Sequence, residues 1–146
     1  MQPAAAIGEL RPDLQEAIAA QYRALMLCGS VPRMTKELCA TMVSGLNFCT
    51  PSMIAHRRSA RHCGVSAATL NDLWHFTQSD RFSSAEKAVL AAAVALTREP
   101  RALPDAVRAQ LREHYDGGQT LEILCVIGLV NYLDRVSNAL RLDVPL

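Results

Sequence analysis

No segment of this chain alternates apolar and polar residues as a half-buried strand must, while helix starts and stops recur along its whole length. That combination restricts the fold to helices. A first helix is expected from about Pro12 to Cys28. Pro12 suits its first position, Leu14, Ile18 and Leu25 lie near one stripe, and Gly29 stops it. Met34 to Gly45 forms a second, carrying Leu38, Met42 and Val43. Thr50 reads as the N-cap of a third that starts on Pro51, runs to about Cys63 and ends at Gly64. Ser66 caps a short fourth helix through Phe76. Ser83 and Glu86 form a capping box for a fifth, which continues through the alanine-rich KAVLAAAVALT to about Arg98. Pro104-Asp105 opens a sixth to about Tyr115. Asp116-Gly117-Gly118 reads as a turn, with Thr120 capping a long last helix to about Leu140. The expected class is all-α: six or seven helices in one domain over residues 1–146, with residues 1–30 as the leading helix.

A length of 146 residues suffices to bury a core, and a chain that is half apolar and one-fifth charged is of the folding kind. The net charge of +1 argues against a dedicated nucleic-acid binder and against a polybasic membrane-surface protein. The longest strongly apolar stretch, Ile123 to Val130, is far short of the roughly 20 residues of a membrane span. The N-terminus lacks the basic and apolar regions of a signal peptide. Five cysteines are an odd number, irregularly spaced, and Cys28, Cys39 and Cys125 sit in apolar helical patterns. They read as reduced thiols of a cytoplasmic chain. No cysteine or histidine pair has zinc-ligand spacing, and Gly117-Gly118 does not make a phosphate-binding loop.

The third helix holds the residues with chemistry. Cys49 stands at its start, where free N–H groups and the positive dipole end are expected to lower a thiol pKa. Ser52 lies three residues on and His56 four further, so all three share one stripe with Met53, Ser59, Ala60 and Cys63. Arg57, Arg58 and Arg61 fall towards solvent as a wetted basic face. A thiol, a hydroxyl and an imidazole so aligned form a proton-transfer set, with His56 as base and Ser52 or a water as link. Glu37 would orient or charge His56 if the second and third helices pack as a hairpin. Spacing alone also allows a small buried cysteine and a satisfied polar histidine, which are the commoner occurrence.

The series Glu37, eleven residues, Cys49, two residues, Ser52, three residues, His56 resembles the carboxymuconolactone decarboxylase and alkylhydroperoxidase D-like superfamily. Its redox-active branch carries Glu-x11-Cys-x2-Cys-x3-His. LNFCTPSMIAHRRSARHCGVS is similar to the family's motif helix and the Gly-Val-Ser after it. FSSAEKAVLAAAVALTREP and LEILCVIGLVNYLDRVSNALRL are similar to its distal helices. The resemblance covers about Val31 to Val144. Ser52 departs from it, standing where the branch has a second cysteine, and a hydroxyl cannot close a disulfide. Cys63 is about 21 Å further along the same helix, against the roughly 7 Å a disulfide allows. Cys39, on the neighbouring helix, stays open as a partner.

The resemblance implies an alkylhydroperoxidase D-like bundle that assembles with itself as a homo-oligomer, a trimer or hexamer. It implies a thiol-dependent, peroxiredoxin-type antioxidant enzyme acting on a small peroxide, with no cofactor or metal. Cys49 would be the reactive thiol, Ser52 its hydrogen-bonding neighbour, and His56 with Glu37 the proton relay. An external thiol or redox protein would restore an oxidised Cys49. The alternatives are a lyase acting on a lactone acid through acid–base groups, and a degenerate member without catalysis.

Other polar residues carry weaker signals. Asn131, Arg135 and Asn138 form a polar stripe on the last helix, read either as a carboxylate-binding wall or as an exposed or subunit-contact face. Asp134 is a candidate ion-pair partner of Arg135. Leu73-Trp74-His75-Phe76 reads as a helix end packed on the core, and His62 and His114 as solvated.

Overall fold

The computed structural model describes residues 11–99 and 101–140. These contain seven α-helices and no strand: α1 (Pro12–Tyr22), α2 (Arg33–Leu46), α3 (Thr50–His62), α4 (Ala67–Asn71), α5 (Ser84–Arg98), α6 (Asp105–His114) and α7 (Gly117–Ala139). A π-helical turn, Arg23–Leu27, extends α1, and a 3-10 turn, Asp72–His75, extends α4. The expected all-α class is therefore observed. The part of the expected leading helix that falls in residues 1–10 lies outside the described residues.

The centre of the fold is α2. Every residue from Thr35 to Ser44 is buried, because α3, α5, α7 and the π turn all pack around it. Leu38, Met42 and Val43 join Met26, Leu70, Leu73, Val89, Leu90, Leu111, Ile123 and Ile127 in the core. A helix enclosed on all sides must also satisfy its polar side chains internally. Thr41 donates to the carbonyl of Glu37 at 2.7 Å. Lys36 donates to the carbonyls of Leu25 and Cys28, which the π turn leaves open, and pairs with Glu122 on α7. The same Glu122 carboxylate accepts from the Ser30 backbone N–H at 3.0 Å. Burial pushes the Glu122 carboxyl up, but Lys36 and the N–H groups of Ser30 and Val31 outweigh it and hold it below its ordinary range.

Several local expectations are corrected. In the π turn Met26 is fully buried, and at the start of the first helix Leu14 is exposed. The N-cap of α3 is Cys49, not Thr50, and Pro51 stands in the first turn. Asp116-Gly117-Gly118 is a helix start, not a turn: the Asp116 carboxylate accepts from the Gln119 N–H at 2.8 Å, and the Gln119 side chain accepts from the Asp116 N–H at 3.1 Å. That capping box starts α7 upstream of Thr120. In the Leu73–Phe76 segment only Leu73 is fully buried, and His75 is exposed. The exposed Trp74 nonetheless lays its ring on α2, where a Cβ on Gly45 would come within 2.1 Å of its Cη2. The Ser83–Glu86 capping box forms as expected. Among the described residues, no helix is long and apolar enough to cross a membrane.

Candidate active site

Packing of α2 on α3 brings Glu37 to His56. Nδ1–H of His56 donates to Oε2 of Glu37 at 2.8 Å, and Nε–H of Arg33 donates to Oε1 at 3.3 Å. Glu37 is fully buried and His56 is 9% exposed. With Nδ1–H committed to a carboxylate, the neutral ring keeps its lone pair on Nε2. Tyr22 of α1 lies against the same group: burial raises its phenol pKa, and the Glu37 charge raises it further.

Cys49 occupies the other end of the stripe. It is 1% exposed, and its thiol donates to the Ser52 hydroxyl at 3.3 Å. Its backbone N–H donates to the Ser44 carbonyl at 3.0 Å. The preceding Phe48 has φ 54, in the left-handed region a bulky residue rarely adopts, and its ring is 89% exposed. The thiol does not show the expected lowered pKa. Burial raises it, the Ser52 hydroxyl and N–H oppose that, and the Asp134 carboxylate adds to the rise. A helix N-terminus favours a thiolate only where solvation or donors support the charge, and this sulfur is covered.

The candidate residues thus form two neighbouring groups at the contact of α2 with α3. Arg33, Glu37 and His56 make one, and Cys49 with Ser52 makes the other. His56 stands about 10 Å beyond Cys49 along the helix axis. Among the described residues, no hydrogen bond joins Ser52 to His56. Cys39 does not complete the thiol site. Two positions from Glu37, it faces away from α3 towards Val89, Ile123 and Val126, and burial pushes its thiol up to about 12. All five cysteines are free.

On the polar stripe of α7, Arg135 and Asn138 are exposed. Asn131 is buried and accepts from Arg135 at 2.7 Å and from Asn47 at 3.1 Å. Asn138 donates to the Asn47 carbonyl at 2.9 Å. Arg135 therefore pairs with Asn131, and the expected ion pair with Asp134 does not form. Asp134 itself turns inward beside the thiol, a placement the polar-stripe reading missed. It continues the apolar series Ile123, Ile127, Val130 at helical spacing, and a carboxylate on a buried stripe was the available signal.

Nor are the α3 arginines all solvated. Arg57 is half-buried and donates to the Leu70 carbonyl at 3.0 Å, while Arg61 donates to the Val65 carbonyl at 2.7 Å. His62 and His114 are exposed as expected. No group of three His, Cys, Asp or Glu side chains converges to hold a metal among the described residues.

Known proteins place this geometry in context. An uncharacterized Bacillus subtilis protein, YdfG, is 31% identical over 112 residues, covering 76% of each chain. A crystal structure from Agrobacterium tumefaciens, of unknown function and named as a candidate antioxidant defence protein AhpD, superposes with a TM-score of 0.88 at 23% identity over 95% of both chains. The debrominase Bmp8, solved as a cysteine-to-alanine variant with 2,3,4-tribromopyrrole, superposes with a TM-score of 0.86 at 22% identity over 95% of this chain and 74% of its own. At those identities the two structures establish a shared alkylhydroperoxidase D-like fold. The carboxymuconolactone decarboxylase family matches residues 12–95, a span that takes in Arg33, Glu37, Cys49, Ser52 and His56. By that match and by its likeness to YdfG, the chain belongs to the carboxymuconolactone decarboxylase family.

Proposed function

We propose that this protein is a thiol-dependent peroxide-reducing enzyme in which Cys49 is the reactive thiol. The observation that carries the reading is the pairing, on one helix stripe, of an N-cap thiol bonded to Ser52 with a buried Glu37–His56 dyad. The Cys49 sulfur attacks the terminal oxygen of a hydroperoxide. An S–O bond forms, the O–O bond breaks, and the thiol proton passes to the leaving oxygen as an alcohol. Ser52, and His56 held by Glu37, supply the groups that can move that proton. One external thiol then condenses with the sulfenic acid, releasing water, and a second frees Cys49 as an external disulfide. Ser52 cannot take over the resolving step, so the reading assigns it to an external thiol.

Self-assembly belongs to the same proposal. Leu121 and Tyr132 stand exposed on one stripe of α7, and the Phe48 ring is exposed beside the thiol.

The test is peroxide consumption with dithiothreitol as reductant. Cys49→Ala abolishes it, and dimedone traps a sulfenic acid on Cys49 of the wild type. Undiminished consumption by the variant sinks the reading. A second reading, a lyase on a carboxylate substrate, is favoured by one observation: the half-exposed Arg33 stands against the Glu37–His56 dyad. Under that reading Cys49→Ala is tolerated and His56→Ala is not.

A further inference from the structure

The corner between α2 and α3 ends one helix and starts the next on the same residue. The Phe48 N–H donates to the Gly45 carbonyl at 3.1 Å, and the Cys49 N–H donates to the Ser44 carbonyl at 3.0 Å. Those two bonds are the Schellman closure of α2, with Phe48 at the left-handed position and Cys49 just after it. The Cys49 carbonyl accepts from the Met53 N–H at 3.0 Å, and Cys49 is the N-cap of α3. Glycine is the usual occupant of the left-handed position, because a side chain there crowds the backbone. Here phenylalanine occupies it at φ 54, and its 89% exposed ring packs on little that would hold it.

The restraint comes from α7, through Asn47. Its Nδ2 donates to Oδ1 of Asn131 at 3.1 Å and to Oδ2 of Asp134 at 3.2 Å. Its carbonyl, on the peptide bond that enters Phe48, accepts from Asn138 Nδ2 at 2.9 Å. The anchors are themselves fixed. Asn131 donates to the Thr97 hydroxyl and to the Ile127 carbonyl, each at 3.0 Å, and Asp134 accepts from the Ser44 hydroxyl at 3.3 Å.

We propose that Asn47 is a positioning residue for Cys49: tied to α7, it keeps the strained Phe48 corner closed and holds the sulfur in its covered place at the start of α3. The proposal rests on Cys49 being the reactive thiol. A residue in a sparsely populated backbone conformation persists only where the surrounding structure over-determines it, and such residues cluster at reacting groups. The bonds of Asn47 supply that restraint one residue before the strain and two before the sulfur. Opening of the corner would part the Cys49 N–H from Ser44 and uncover a sulfur-bearing residue that is 1% exposed.

The experiment is alkylation by iodoacetamide at pH 7.5, resolved by peptide mapping, in the wild type, Asn47→Ala and the double variant Asn47→Ala with Phe48→Gly. Asn47→Ala speeds Cys49 alkylation about tenfold, the effect of removing side-chain hydrogen bonds that oppose a local opening. Dilute urea leaves that rate in place, because a local opening exposes little surface, whereas Cys39 alkylation rises with urea. The double variant returns to within about threefold of the wild type, since glycine closes the corner without help. An unchanged Cys49 rate in Asn47→Ala, a urea dependence as steep as that of Cys39, or no recovery in the double variant overturns the proposal. If circular dichroism shows Asn47→Ala unfolded, Asn138→Ala decides, since it removes only the bond to the Asn47 carbonyl. Alkylation of Cys49 about threefold faster then supports the proposal, and an unchanged rate overturns it. In the peroxide assay Asn47→Ala lowers kcat about tenfold and leaves KM in place, because the residue orients the sulfur and touches no substrate. An unchanged kcat overturns the positioning role. Absence of turnover in the wild type overturns the peroxide reading alone, and the alkylation result still decides whether Asn47 holds the corner.

Discussion

Nδ1 of His56 lies 2.8 Å from Oε2 of Glu37, and that carboxylate has no exposure to solvent. The contact ties α3 to the central helix and fixes the imidazole ring. Glu37→Gln keeps the shape and removes the charge. Hydrogen bonds to buried charged groups contribute about 1.5–3 kcal/mol, so urea unfolding at pH 7 should show a loss of about 2 kcal/mol. If the dyad moves a proton in turnover, activity falls about a hundredfold, the scale of general acid–base catalysis. A variant with wild-type turnover and reduced stability would make the dyad structural alone.

Thiol labelling should follow burial and thiol pKa together. Cys28 is exposed, Cys49 is buried with its pKa raised, and Cys39 is buried with its thiol pushed up to about 12. Iodoacetamide at pH 7.5 with mass-spectrometric mapping should modify Cys28 first and Cys39 last. Cys39 also couples stability to alkaline pH. In the unfolded chain a thiol ionises near pH 8.5, while folded Cys39 keeps its proton. Its contribution is therefore intact below about pH 8.5 and is lost as pH climbs towards the folded value. Between pH 8.5 and 10 that loss is about 2 kcal/mol, and a Cys39→Ala variant should lack that slope in its unfolding free energy.

The Lys36–Glu122 pair couples the fold to acid in the opposite sense. Glu122 titrates below its ordinary range, so its stabilisation is present above the unfolded carboxyl pKa and is lost as pH falls through the lower folded value. Glu122→Gln leaves the buried Lys36 without its partner and should cost about 3 kcal/mol at pH 7. The gap between variant and wild type should narrow below about pH 4, as the wild-type carboxyl gains its proton. Urea midpoints at pH 7, 5 and 3 measure it, and a constant gap would refute the linkage.

Gly45 lets the indole of Trp74 lie on α2, and an added Cβ would meet its Cη2 at 2.1 Å. Gly45→Ala should therefore destabilise by about 1–3 kcal/mol, despite the higher helix propensity of alanine. Trp74 is the sole tryptophan, so the displaced ring should also appear as a shift in intrinsic fluorescence.

The helices were legible because their caps are local. Ser83 with Glu86, Ser66 with Thr69, and Pro12 all act within a few residues. The Glu37, Cys49, Ser52 and His56 set was legible through its spacing, and the structure brings Glu37 to His56 and Ser52 to Cys49. The state of the thiol was not legible. It depends on covering from α2 and α7, and the dipole argument treats an exposed helix end. Asp134 was missed for a related reason. As the sequence neighbour of Arg135 it read as an ion-pair partner, whereas it continues the buried stripe of Ile127 and Val130. The extent of α2 burial was hidden as well, since the partners of Lys36 and Ser44, Glu122 and Asp134, lie far along the chain.

The bonds that finish the thiol's surroundings span most of the sequence: Ser44 to Asp134 is 90 positions, and Asn138 to Asn47 is 91. During synthesis, the sulfur leaves the ribosome long before the helix that will shelter it. A nascent chain therefore presents an unguarded thiol for as long as translation of the intervening segment takes.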